Sequence, residues 1–234
     1  NENTIPFFVP VCLTPVNGDP VYFAFLEGNG EWYQAVLEQP NPHQAFNPLI
    51  QGILEQFHEP ATVIYIAPYL NEEGARQLNQ QAPTQLEAND EGLNGAIQQY
   101  SQHRRAYLHD DYPIFMLTKW DLKHQPNVSA FTEPDPDEVG DILKMRYSLA
   151  WQTYHNMAFQ GRPENKAYTV YCAGVFNGAQ LIQASNDIRP KMQTHPRKMW
   201  DRLYHHHTGD CLYKDVHPQG RSLLARIQDW LSLH

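Results

Sequence analysis

The chain is short of cysteine, of positive charge and of long apolar runs, and each shortage removes a class of protein. Its three cysteines, Cys12, Cys172 and Cys211, are far apart and odd in number. They make no disulfide framework and no CxxC pair, which fits a reducing compartment, so the cytoplasm is the expected location. Lys and Arg number 17 against 26 Asp and Glu, a formal charge of -9. Broad attraction to nucleic acid or to an anionic membrane needs the opposite balance, so neither partner is expected. The longest apolar runs are strand-sized and no basic stretch precedes the first of them, so neither a signal peptide nor a membrane span is expected.

What is present is enough for a core. Hydrophobic residues make up 41% of 234 residues and aromatics 12%, which predicts one α/β domain over 1–234 with generous polar loops. Residues 7–13 and 21–26 are apolar and partly β-branched, and Asn17-Gly18 between them is a turn signal, so an antiparallel hairpin is expected. Asn47-Pro48 reads as a cap and first-position proline, with Leu49, Ile50, Ile53, Leu54 and Phe57 on one helical face.

The run 62–67, between Pro60 and Pro68, predicts a central strand covered on both faces. Leu93, Ile97, Tyr100, Tyr107 and Leu108 predict a helix capped by Asp90, and 114–118 a second buried strand. Asp135-Pro136-Asp137-Glu138 opens a long helix whose stripe is Val139, Leu143, Tyr147, Ala150 and Tyr154. A strand at 168–173 follows, then a poorly periodic region and a terminal helix through Leu223, Leu224, Ile227, Trp230 and Leu231. Together these predict a largely parallel sheet with helices on both faces and the hairpin as an antiparallel edge.

Thr118-Lys119-Trp120-Asp121 sits directly after the second buried strand, where open α/β sheets place ligand-binding residues. A carboxylate accepts paired N–H donors such as guanine presents, a lysine stem lies along a ring, and a threonine hydroxyl ties the loop to its neighbours. A solvated strand end uses the same residue types.

In these residues the chain resembles the Ras-like GTPases of the translation-factor and small-GTPase class, whose base-recognition motif is [NT]-K-x-D. Thr118, Lys119 and Asp121 match it in full. In that family the next core strand enters a short Ser-Ala loop against the base, and here Cys172-Ala173-Gly174 stands in its place. The family's early strand pair ends in D-x-x-G, which holds magnesium through water. Here Glu27-Gly28-Asn29-Gly30 occupies that position, with Glu27 one methylene longer than the aspartate. The resemblance therefore implies a nucleotide-binding set of Thr118, Lys119, Asp121, Cys172, Ala173, Glu27 and Gly30, with GTP or GDP and magnesium as the ligand. It also implies Ras-like topology without the first strand.

The family's phosphate cradle, G-x-x-x-x-G-K-[ST], occurs nowhere, and no glycine is followed by lysine. Phosphate affinity in such folds comes from that loop's N–H groups, its lysine and a helix N-terminus. The resemblance then implies a degenerate G domain acting as a scaffold or partner-binding module for another protein. The alternative is a GTP-binding hydrolase unit whose phosphate loop lies outside this chain. Long inserts near 123–166 and 177–220 suit a partner-facing role. Elaborated G domains of this kind occur in bacterial multidomain GTPase systems, including those linked to defence.

A third possibility is a metal-dependent hydrolase built on His205, His206, His207, Asp210, Cys211 and His217, although adjacent histidines diverge and the spacing favours a surface loop. Arg189, Lys191, Arg197, Lys198 and Arg202 make that region locally basic. No G-x-S-x-G elbow is present, and the sequence assigns Cys172 no catalytic partner.

Overall fold

The computed structural model describes residues 7–15, 18–27, 48–69, 82–123, 131, 134–160, 167–174, 176–177, 180–181 and 191–213. They fall into two compact units, one drawn from Asn1–Val9 and Phe25–Pro196, the other from Pro10–Ala24 and Arg197–His234. Among the described residues no helix is long and apolar enough to cross a membrane. The expected terminal helix lies outside the described residues.

The larger unit is built on three parallel strands in the order β3 (Thr62–Pro68), β4 (Tyr112–Thr118) and β5 (Ala167–Tyr171). Five helices belong to the described fold: α1 (Pro48–Gln56), α2 (Ala82–His103), α3 (Pro136–Arg146), α4 (Ser148–Gln160) and α5 (Thr194–Thr208). An α/β fold with a parallel sheet is therefore present. The predicted hairpin strands, β1 (Phe7–Leu13) and β2 (Val21–Glu27), form a two-stranded sheet of their own and do not edge the three-stranded one. A third small sheet pairs β6 (Phe176–Asn177) antiparallel with β7 (Gln180–Leu181).

The central strand is β4, not β3. Residues Pro113 to Leu117 of β4 are all buried, whereas in β3 Tyr65 and Ala67 are buried and Ile66 between them is 57% exposed. Pro113 is tolerated because pairing with β5 begins only at Ile114, so its missing N–H faces no neighbour on that side. The Tyr154 hydroxyl closes this corner, donating to Pro113 O at 2.9 Å and accepting the Ala167 N–H at 3.1 Å. One face of the sheet, with Tyr65, Ala67, Phe115, Leu117 and Val170, joins the main core against Ile97, Tyr100, Val139, Leu143, Ala150 and Tyr154.

Two helices differ from expectation for the same tertiary reason. The long helix from Asp135 is broken at Tyr147 (φ -127, ψ 54) into α3 and α4, although its stripe is buried throughout. Asp135 does cap α3 as predicted, accepting from Asp137 N at 3.0 Å ahead of Pro136. The second helix, α4, has no capping side chain next to it in sequence, and Asp90 supplies one from α2. Asp90 lies inside that 22-residue helix, not at its start, and its carboxylate accepts from Leu149 N at 3.0 Å and Ala150 N at 2.9 Å. These are the N–H groups that a local cap would satisfy. In α1 the buried face narrows to Ile50, with Leu54 packed on the core, while Leu49 and Phe57 are 51% and 42% exposed.

A buried ion pair locks the start of the sheet. Arg104 and Asp111 are 0% and 1% exposed. Arg104 Nε donates to Asp111 Oδ2 at 3.0 Å and Nη2 to Oδ1 at 2.6 Å. Its remaining N–H groups reach Glu59 O at 3.0 Å, Leu54 O at 3.4 Å and Phe57 O. Asp111 also accepts from Tyr100 Oη at 2.8 Å and Ala61 N at 2.9 Å. The guanidinium lies 4.8 Å from the Tyr107 ring centre.

In the smaller unit, Gly209 (φ +74) ends α5 with its N–H on His205 O at 2.7 Å, as a left-handed C-terminal residue should. Asp201 is buried and accepts from Leu212 N at 2.6 Å and Tyr213 N at 3.1 Å, and the Tyr204 hydroxyl donates to Asp19 O at 3.2 Å.

Two measurements test this account. Asp111→Ala strands a buried guanidinium and is expected to lower urea-unfolding stability by about 3–5 kcal/mol, whereas an Arg104→Met, Asp111→Leu double variant recovers most of the loss. Asp90→Ala removes the borrowed cap and is expected to cost about 1–2 kcal/mol in the same assay. An unchanged midpoint would mean that α4 does not depend on that carboxylate.

Candidate functional site

Because β3, β4 and β5 run parallel and in register, their carboxyl ends finish together, with Pro68 opposite Thr118 and Thr118 opposite Tyr171. Open parallel sheets bind ligands at this edge. The segment after β4 turns at Lys119, the only described non-glycine residue with positive φ (+56), and enters a 3-10 turn over Trp120–Lys123. A lysine in this left-handed conformation stores strain of about 1–3 kcal/mol, which proteins tend to retain where a functional geometry needs it. Leu122 N closes the turn on Lys119 O at 3.0 Å.

The turn exposes Lys119 and leaves Thr118 half-buried, while Trp120 and Asp121 are buried at 0% and 7% exposure. Trp120 anchors it. Its ring meets Tyr69 edge-on at 6.0 Å, and the Lys123 ammonium stands 4.5 Å from its centre while pairing with Glu138 of α3. Burial lowers the Lys123 pKa from its ordinary value.

On the neighbouring strand, Cys172 is buried, Ala173 exposed and Gly174 buried. The Cys172 Sγ donates to Gly174 O at 2.9 Å. Burial pushes the thiol pKa up and the nearby Asp121 carboxylate adds to that, so Thr118–Asp121 and Cys172–Gly174 are brought into one corner. The Cys172 sulfur also lies within hydrogen-bonding reach of the Asp121 backbone and carboxylate.

Gly30 and the side chain of Glu27 lie outside the described residues. His205, His206 and His207, expected on a loop, occupy the last turn of α5, where successive side chains diverge by about 100°. His217 lies outside the described residues, and among the described ones no group of three His, Cys, Asp or Glu side chains is placed to hold a metal ion.

Three contacts at this edge were not foreseen. Tyr69 N donates to Thr118 O at 2.8 Å, the Arg146 guanidinium lies 4.8 Å from the Tyr69 ring centre, and the Tyr147 hydroxyl donates to Pro68 O at 2.5 Å. Tyr69 could have been suspected from its place one residue beyond a strand. Arg146 and Tyr147 could not, because they arrive from a helix 79 residues further along the chain in the case of the Tyr147 bond.

Comparison of the chain with protein-family models, with curated proteins and with solved structures finds no match in any of the three.

Thiol titration checks the corner's burial. Cys12 and Cys211 are exposed and are expected to react with a disulfide reagent at once, with Cys172 following only on unfolding. Three equally fast thiols would contradict the packing. Lys119→Gly removes the left-handed strain and is expected to leave the fold as stable or raise its stability by up to about 1 kcal/mol, read by thermal unfolding.

Proposed function

We propose that the chain is a G-domain-like module without a phosphate loop, in which Thr118–Asp121 and Cys172–Gly174 form a guanine-recognition corner. It acts chiefly by binding another protein. One observation carries this reading: a nearly buried carboxylate, Asp121, stands beyond the carboxyl end of the central strand, in the turn that follows it and beside Cys172. A base presenting two adjacent N–H groups matches a carboxylate's two acceptor oxygens, and the exposed Lys119 stem offers a surface for its ring. Base contacts alone hold a nucleotide weakly when no glycine-rich loop grips the phosphates, which is why protein contact is assigned the main role. The insert at 123–166 supports that role, since it presents Met145 and Leu149 at 72% and 45% exposure around the α3–α4 break.

A second reading is a GTP-binding hydrolase unit completed by a phosphate loop outside this chain. The strain kept at Lys119 favours it, because a loop serving only to join elements has no need of a left-handed lysine.

Equilibrium binding of fluorescent GDP, GTP and ATP, with and without magnesium, tests the corner. Guanine-selective binding is expected, and Asp121→Ala is expected to weaken it by about 1–3 kcal/mol. If wild-type protein shows no guanine preference, or the variant binds as well, base recognition is excluded and only partner binding is left to account for the domain. High affinity with magnesium dependence would instead favour the hydrolase reading.

A further inference from the structure

We draw no further inference here: the strongest candidate, the outer edge of β3 around the exposed Ile66, is an apolar strand edge that pairs with no described strand, and nothing in the structure shows what covers it.

Discussion

The buried pair of Arg104 and Asp111 is the constraint on which the sheet, and through it the candidate site, depends. Two charges withdrawn from water are favourable only when their hydrogen-bonding capacity is filled. Here it is: the guanidinium has five N–H donors and makes five bonds among the described residues, and the carboxylate accepts at least four. The partners are what matter for the fold. They come from the end of α1, the residue before β3 and the last turn of α2, and Asp111 itself stands one residue before β4.

That placement fixes register. Asp111 Oδ1 accepts Ala61 N, and Tyr112 N donates to Ala61 O at 2.8 Å, so β3 and β4 are pinned to each other where they begin. In a parallel pair the offset chosen at one end is carried to the other. Seven residues later, about 20 Å away, Pro68 meets Thr118 and Tyr69 N meets Thr118 O. A slip of one residue would turn Tyr65 and Phe115 out of the core and move the Lys119 turn away from Cys172. The chemistry at the carboxyl edge is thus positioned by an electrostatic lock at the opposite edge.

This division explains which features the sequence made legible. Strands β1 to β5 were readable because apolar runs bounded by Pro, Asn and Gly are local signals, and so was the start of α3, where cap, proline and acids are consecutive. The Thr118–Asp121 turn and Cys172 were readable as strand ends. Asp90 was not, because its sequence position suggests a cap for its own helix while its function is to cap another one 59 residues away. The break at Tyr147 is equally tertiary, since the stripe through Val139, Leu143, Ala150 and Tyr154 keeps helical period across it. Helix α5 was missed because its Arg-rich and His-rich surface hides a narrow buried side at Leu203 and Tyr204, although Pro196 in its first turn and Gly209 after its last were usable marks.

Strand β4 is bracketed by two buried aspartates, and the contrast between them bears most directly on function. Asp111, at its amino end, is saturated by protein donors and needs nothing more. Asp121, beyond its carboxyl end, is 7% exposed and has the Cys172 thiol as a hydrogen-bonding neighbour. Burying a carboxylate is costly unless it is hydrogen-bonded, and a thiol is a weaker donor than the guanidinium and hydroxyl that serve Asp111. The left-handed backbone at Lys119 is a further cost in the same turn, which buries Trp120 and leaves the lysine side chain exposed. The two costs fall within three residues, at the edge where parallel sheets receive ligands. In the proposed guanine recognition, paired N–H groups would meet this carboxylate and the ring would lie along the lysine stem.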